Sequence, residues 1–478
     1  MKVRFTVLTV AAVIAFSCKK KDDTGNNVPP PDPNANRVEL LMDSVYVYSK
    51  ETYFWNDRIP SYSQFNPRQY KGNSELESAQ KVMNAIRGLQ PLDRYSFVTT
   101  KEESDGIQTG QNKDFGFFLK PASVDVAAPV DSIYWFVNYV YDQSTAGSAG
   151  VKRGWIINKV NGTQLAYNDQ SISLLNNIFF GTATTANFEF IKPGNVIAAA
   201  SLSKTGFTAN SVLYKNVLTT GAHKVGYLVF NQFFGAPSRV ELGEAFSSFQ
   251  SQGITDLVVD LRYNPGGSTE TQDTLANLIA PLAANNKKMY TYEFNPQLQQ
   301  GNFPLLKKKP GFGNVSFSET DNTVIYEKAG TLNLNRVFFI VSSSSASACE
   351  LIINNLKPYM DVKLIGDTTY GKPVGYFPID IFEYAIYPVS FRTINSAGNA
   401  DYYDGFAPDK LTTDGVSKDW GDITEPSLAA ALNYISSGSF GRAAESRQVR
   451  MQMDAQELIK PIQKQLESKK FIGMYKEN

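Results

Sequence analysis

Two short segments of this chain carry side chains able to do chemistry together. Ser342 to Glu350, SSSSASACE, offers a hydroxyl nucleophile, and Thr369 to Pro373, TYGKP, offers an amine. A serine must lose its proton as it attacks, so a base has to lie within hydrogen-bond reach. The usual base is scarce here: the one histidine, His223, stands more than a hundred residues upstream, at the head of the apolar run VGYLVF. Lysine can take its place only when its pKa, about 10.4 in water, is brought down by desolvation or a cationic neighbour. Lys372 has a suitable setting, on a turn bracketed by Gly366, Gly371 and Gly375, after a short strand carrying Val362, Leu364 and Ile365.

The neighbouring elements position these groups. NRVFFIV reads as a buried strand over Val337–Val341, and ACELIINNL as a helix with Leu351, Ile352 and Leu356 on one side. Ser347 therefore falls at a strand-to-helix junction, where unpaired N–H groups can hold an oxyanion. A serine-rich run before a helix also reads as a plain loop and N-cap. A third segment, ITDLVVDLRYNPGG from Ile254 to Gly267, reads as a buried strand ending in a glycine turn.

These segments resemble the catalytic core of the S41 family of serine peptidases, the C-terminal processing or tail-specific proteases. The family's S-A-S-A-S-E run is matched by Ser345-Ala346-Ser347-Ala348-Cys349-Glu350, and its T-F-G-K-G turn by Thr369-Tyr370-Gly371-Lys372-Pro373, with serine and lysine 25 residues apart as in the family. Its D-L-R-x-N-x-G-G loop is matched from Asp260 to Gly267. The resemblance implies Ser347 as nucleophile, Lys372 as base, and an oxyanion hole from the N–H of Ala348 with that of Gly266 or Gly267. Asp260 and Arg262 are expected to be orienting or structural. The chain departs from the family pattern at Tyr376, where many members have a glutamine that orients the lysine; at Cys349, in place of the run's last serine; and at Pro373. The Tyr376 hydroxyl is the candidate lysine-orienting group, and Cys349, two residues from Ser347 on a helix, is expected to pack into the core.

The N-terminus speaks to location. Lys2 and Arg4 precede an apolar stretch, Phe5–Phe16, of signal-peptide length, and Ala15-Phe16-Ser17-Cys18 resembles a bacterial lipobox with Cys18 as the lipidated residue. Residues 1–18 are read as a lipoprotein signal. Residues 19–37, KKKDDTGNNVPPPDPNANR, read as a tether with too little apolar surface to fold. Its charged start resembles the export signals of Bacteroidota lipoproteins, which implies an outer-membrane protein of the bacterial envelope, facing the periplasm or outward. With 46 basic and 46 acidic residues the chain has no net charge and no basic stripe for nucleic acid. One histidine and two cysteines give no metal-binding pattern, so no metal or cofactor is expected.

Residues 38–98 read as a small helical domain, ending in Leu92-Asp93-Arg94-Tyr95-Ser96, which resembles the family's L-D-P-Y-S segment and carries no visible chemistry of its own. Residues 99–205 resemble a PDZ domain. Phe115, Gly116 and Phe117 stand at its carboxylate-binding loop, and AGVKRGWIINKVNG matches a later motif with Trp155 in place of aspartate. Between these lies an aromatic insertion, PVDSIYWFVNYVYDQS, placed to cover the groove or to leave it open. A PDZ groove takes an extended peptide as an added strand and holds its terminal carboxylate; a β domain that binds nothing is the alternative. Residues 206–436 alternate strand and helix, as in a mainly parallel sheet with helices outside. The last core helix is expected over Gly421–Ile435, and residues 437–478 read as a linker and a polar helix near Asp454–Ser468. The resemblance implies an α/β, ClpP/crotonase-like catalytic core with a PDZ-like β domain and a helical N-terminal domain. It further implies a serine endopeptidase acting on polypeptides with free C-termini. A peptide- or glycan-binding envelope lipoprotein that kept only the fold is the second reading.

Overall fold

The computed structural model describes residues 32, 34–123, 133–440 and 473–477. Cys18, most of the tether and the helix expected near Asp454–Ser468 lie outside the described residues.

Helix α1 (Arg37–Thr52) begins at Asn36, which accepts the Glu39 N–H while Glu39 accepts the Asn36 N–H in return, so two orphan donors are satisfied at once. Helix α2 (Glu75–Arg87) is capped by Ser74. Leu41, Met42 and Val45 of α1 and Ala79, Val82 and Met83 of α2 are fully buried, and they join the same continuous apolar core as the central sheet. Strand β1 (Phe97–Thr100) and helix α3 (Lys101–Thr109) follow.

A β module comes next: β2 (Gln111–Asp114), β3 (Phe117–Ser123), β4 (Ile133–Val140), β5 (Ile156–Val160), helix α4 (Asp169–Phe180), β6 (Thr185–Lys192), β7 (Val196–Ser203) and β8 (Thr205–Thr208). Strands β3-β4-β5-β6-β7 form one antiparallel sheet in that order, and β2 pairs with β8. Its core is separate, with Phe115, Phe117, Phe179 and Phe188 meeting edge to face or tilted. The described part of the aromatic insertion is not a cover. It is β4, paired with β3 and β5, because Trp135 and Val137 face the module's core while Tyr139 faces a second apolar cluster.

The central sheet is built from β9 (Val212–Thr220), β10 (His223–Phe230), β11 (Asp256–Asp260), β15 (Arg336–Val341), β16 (Asp361–Gly366) and β21 (Lys410–Leu411), in that spatial order and parallel after the β9–β10 hairpin. Helix α5 (Ala236–Gln252) links β10 to β11. The strands are apolar on both faces, as a covered parallel sheet requires. Val337, Phe339 and Val341 pack toward the core shared with α5, α6 (Thr269–Ile279) and α7 (Ala348–Leu356), while Phe338 and Ile340 pack toward α8 (Pro426–Ser437). Helix α8 starts later than the sequence pattern suggests because Pro426 stands in its first turn and the Glu425 carboxylate caps the N–H groups of Ser427 and Leu428.

A second sheet has the order β12 (Gly266–Ser268), β22 (Gly473–Tyr475), β17 (Val374–Tyr376), β20 (Phe391–Asn395), β13 (Lys288–Phe294) and β14 (Thr323–Ile325). A small third sheet joins β1 to the hairpin of β18 (Ile379–Ile381) and β19 (Tyr384–Tyr387). The whole is a mixed α/β fold with a β module set into the chain ahead of the central sheet.

Candidate active site

Ser347 sits where β15 gives way to α7, and its backbone is bent into a conformation unusual for a residue with a side chain, φ +59° and ψ −102°. Such strain persists only where the surroundings hold it. The loop before it is bolted down: Ser345 Oγ donates to Leu261 O at 2.7 Å, Ala346 N–H to Asn264 O at 3.2 Å, and Tyr370 N–H to Ser345 O at 3.0 Å. Ser347 is fully buried, and its Oγ has no hydrogen-bond partner among the described residues. A buried hydroxyl without a partner is costly, and functional groups are a common reason for the exception.

Lys372 lies on the turn between β16 and β17 and is also fully buried. Burial holds its amine well below the usual lysine range, against the opposing pull of Asp93 and Glu350. Its Nζ donates to the Tyr376 hydroxyl and stands 3.9 Å from the centre of that ring; the Tyr376 hydroxyl donates in turn to Tyr95 O at 3.2 Å.

The serine and lysine turns are joined by Glu350, which the sequence offered only as the last letter of a motif. One Glu350 oxygen accepts the N–H groups of Ser347 (2.9 Å) and Lys372 (2.8 Å); the other accepts Gly371 N–H (2.7 Å) and Thr369 Oγ (2.6 Å). Burial works to raise the Glu350 carboxyl, while these four donors favour its charged form. The segment after α2 also reaches the site. Tyr95 OH donates to Gly371 O at 2.6 Å, and the buried Asp93 accepts from Tyr53 OH, Ser96 Oγ and the N–H groups of Tyr95 and Ser96. The D-R-Y-S letters that showed no chemistry in the sequence thus brace the lysine turn. Their only signal was the motif itself.

The candidate oxyanion amides lie at the start of α7 and in β12. Ala348 is the first residue of α7. Gly266 N–H donates to Asn264 Oδ1 at 2.9 Å. Gly267 has φ +140°, and a Cβ there would lie 2.0 Å from Phe233 O, so only glycine fits. Cys349 is buried, its thiol pushed well above its ordinary pKa by burial and donating to Asn264 O at 3.2 Å, so it is a core group and no rival nucleophile. His223 begins β10 and faces Asp256 at 2.8 Å, at the strand-start edge of the parallel sheet, whereas Ser347 follows the end of β15. Asp260 and Arg262 form a buried ion pair at 2.7 Å, and Arg262 also meets Glu425 (2.7 Å) and Asp414 (3.0 Å).

In the β module, Phe115 and Phe117 are core residues, and Gly116 N–H donates to Asp114 Oδ1 at 2.6 Å. That amide is therefore engaged within the loop, while β3 remains the edge strand of its sheet.

Residues 224–409 match peptidase family S41. A probable CtpA-like serine protease of Staphylococcus aureus (strain MRSA252) is 24% identical over 304 residues, covering 64% of this chain and 53% of that protein. A probable CtpA-like serine protease of Staphylococcus epidermidis is 24% identical over 322 residues, covering 66% of this chain and 56% of its own length. The chain thus spans about half the length of these relatives. A putative S41 protease from Bacteroides fragilis shares the fold, with a TM-score of 0.62 at 20% identity over 86% of this chain and 99% of that one. The matched segment carries both the serine and the lysine turns, so the likeness to peptidase family S41 covers the residues of the candidate site.

Proposed function

We propose that this protein is a serine endopeptidase in which neutral Lys372 takes the proton of Ser347, the serine attacks a peptide carbonyl, and the N–H groups of Ala348 and Gly267 hold the oxyanion. Lys372 then protonates the leaving amine, and water hydrolyses the acyl-enzyme. Tyr376 orients the amine by accepting one of its hydrogens, leaving the lone pair for the serine. The observation that carries the reading is a buried lysine, its amine held low, tied through one carboxylate to the turn of a buried serine whose Oγ has no partner among the described residues.

The substrates are polypeptides of the bacterial envelope, taken by their free C-termini with help from the PDZ-like module. There β3 lies at the sheet edge, where an added strand can pair, and at the loop of Phe115, Gly116 and Phe117 the Gly116 amide is engaged by Asp114. The catalytic unit is of ClpP/crotonase type and spans residues 206–436, after a helical unit at 38–98 and the β unit at 99–205. Cys18 anchors the protein to the outer membrane through lipid. No described helix is long and apolar enough to cross a membrane.

The test is cleavage of an unfolded protein with a free apolar C-terminus, against the same substrate amidated. Cleavage is expected to fall on amidation and to vanish in folded Ser347→Ala and Lys372→Ala proteins. Full activity in either variant overturns the assignment, and equal cleavage of both substrates removes the C-terminal preference.

A further inference from the structure

Strand β22 lies between the two strands that flank the site. It runs parallel to β12, pairing Gly473 with Gly266 and Tyr475 with Ser268, and parallel to β17, pairing Met474 with Gly375 and Tyr475 with Tyr376. Gly473 N–H donates to Pro265 O and Lys476 N–H to Tyr376 O, each at 3.0 Å. In a parallel ladder a residue's N–H and C=O go to the two neighbours of its partner. The Gly473 carbonyl is thereby directed at the Gly267 N–H, the amide assigned above to the oxyanion. A Cβ on Gly473 would lie 2.5 Å from Lys372 Nζ and 2.6 Å from Tyr376 Cε2, so any side chain there displaces the amine or the ring. Met474 and Tyr475 are fully buried. Glu477 is held by Arg239 at 2.7 Å and by Ser268 Oγ at 2.6 Å.

We propose that Gly473–Glu477 occupies the peptide-binding track of the site as a substrate does, so that the chain's own tail competes with substrate for the active site. Arg239 and Ser268 then form a subsite for an acidic side chain four residues beyond the one whose carbonyl meets Gly267. This rests on the protease reading and adds its substrate track. Two strands with one strand missing between them leave a gap of roughly 9–10 Å, twice the strand spacing, which an extended segment fills by main-chain bonds to both sides. The pattern read from the occupant is glycine against the lysine, then an apolar side chain, then an aromatic one, with the carboxylate two places further on. Because the occupant belongs to the same chain, a free peptide meets it at an effective concentration of order millimolar.

The experiment compares the full chain with its Gly473→Trp variant, in which the indole cannot share space with Lys372. A fluorescent peptide, FIGMYKEN, is the probe, and circular dichroism checks folding. In the parent, the Met474 and Lys476 amides are expected to resist hydrogen exchange and the peptide to bind weakly. In Gly473→Trp those amides exchange, the peptide binds, and a fluorophosphonate labels Ser347 at least about tenfold faster as the tethered competitor leaves. Adding Arg239→Glu weakens peptide binding, and the peptide with Glu477→Lys restores it. Should Gly473→Trp misfold, full-length Glu477→Arg, which breaks the Arg239 clamp and leaves the strand register intact, serves in its place with the same readouts. Equal peptide binding to parent and variant, or none to the variant, overturns the proposal. Peptide binding as expected with no labelling of Ser347 in any protein overturns the protease reading instead and leaves the track standing.

Discussion

In the proposed mechanism Lys372 serves Ser347 only as a free amine, and burial favours that form by holding the lysine pKa well below its ordinary range. Activity is therefore expected to rise with pH through the lowered lysine pKa and to level off well short of the value of about 10.4 for a solvated lysine. Tyr376 is kept a neutral phenol by the same burial and so can accept a hydrogen from the amine. Tyr376→Phe should lower kcat by about tenfold to a hundredfold with KM little changed, and Tyr376→Gln should keep more of the rate because an amide oxygen can accept in the same way. A pH–rate profile of the three proteins checks both expectations, and an unchanged kcat in Tyr376→Phe removes the tyrosine from the orienting role. The stability sign is opposite to the catalytic need. Between the lowered folded pKa and the unfolded one the folded protein binds fewer protons at Lys372 than the unfolded chain does, so the burial penalty is full below the folded pKa and fades as pH rises from there to the unfolded value. Inactive Lys372→Met is thus expected to melt above the parent at pH 7, with the gap narrowing toward pH 10; a lower melting point at pH 7 contradicts it. That the Ser347 and Lys372 turns belong together could be read from the chain because two motifs stood in order at a fixed distance. Glu350 could not be assigned its part, since its four donors meet only when two turns about twenty residues apart fold onto one carboxylate.

At the scale of elements, one buried cluster ties the β module to the central sheet. Asp414 accepts from Lys120 of β3 at 2.6 Å, from Arg153 at 3.0 Å and from Arg262 at 3.0 Å, while Arg153 also donates to Tyr263 OH at 2.7 Å. Burial works to raise the Asp414 carboxyl, but the three cations outweigh it and hold it well below the usual carboxylate range. Its contribution is thus fully present above the unfolded value of about 3.9 and is lost only as pH falls through the lower folded value. Asp414→Asn should cost about 3–5 kcal/mol, because it leaves buried cations short of a charge. Urea unfolding at pH 7 checks this, and a cost under about 1 kcal/mol would mean that water replaces the carboxylate. The strands on both sides of this cluster were legible as apolar runs, for a doubly covered sheet asks for nothing more specific. The pairing was not legible. Nothing in the aromatic run from Ile133 to Val140 tells a covering flap from a central strand until Ile156 and Ile157 are seen opposite Phe136 and Trp135. The start of α8 was misplaced for a local reason: the polar residues before Pro426 extend the helical pattern, and only the Glu425 cap cuts it.

Across the whole molecule, the apolar cores do not follow the units read from the sequence. The β module has a core of its own, whereas α1 and α2 share theirs with the central sheet. Hydrogen bonds extend this union: Ser96 Oγ accepts the Val389 N–H at 2.9 Å, and Asn295 donates to the backbone of Glu51 and Tyr53 from beyond β13. A helical segment whose apolar face is completed only by the sheet cannot open without exposing that sheet's side chains. Native-state hydrogen exchange is therefore expected to give the amides of Leu41–Val45 and Val82–Ile86 the same opening free energy as those of Val337–Val341. The amides of Phe188 and Phe190 should open separately, in a smaller unit with its own denaturant dependence. Opening of α1 and α2 at markedly lower denaturant than β15 would show an independent helical domain. The joint behaviour would instead make the N-terminal helices part of the scaffold that holds Lys372 dry, so that a chain cut before Thr99 loses the depressed amine along with the helices.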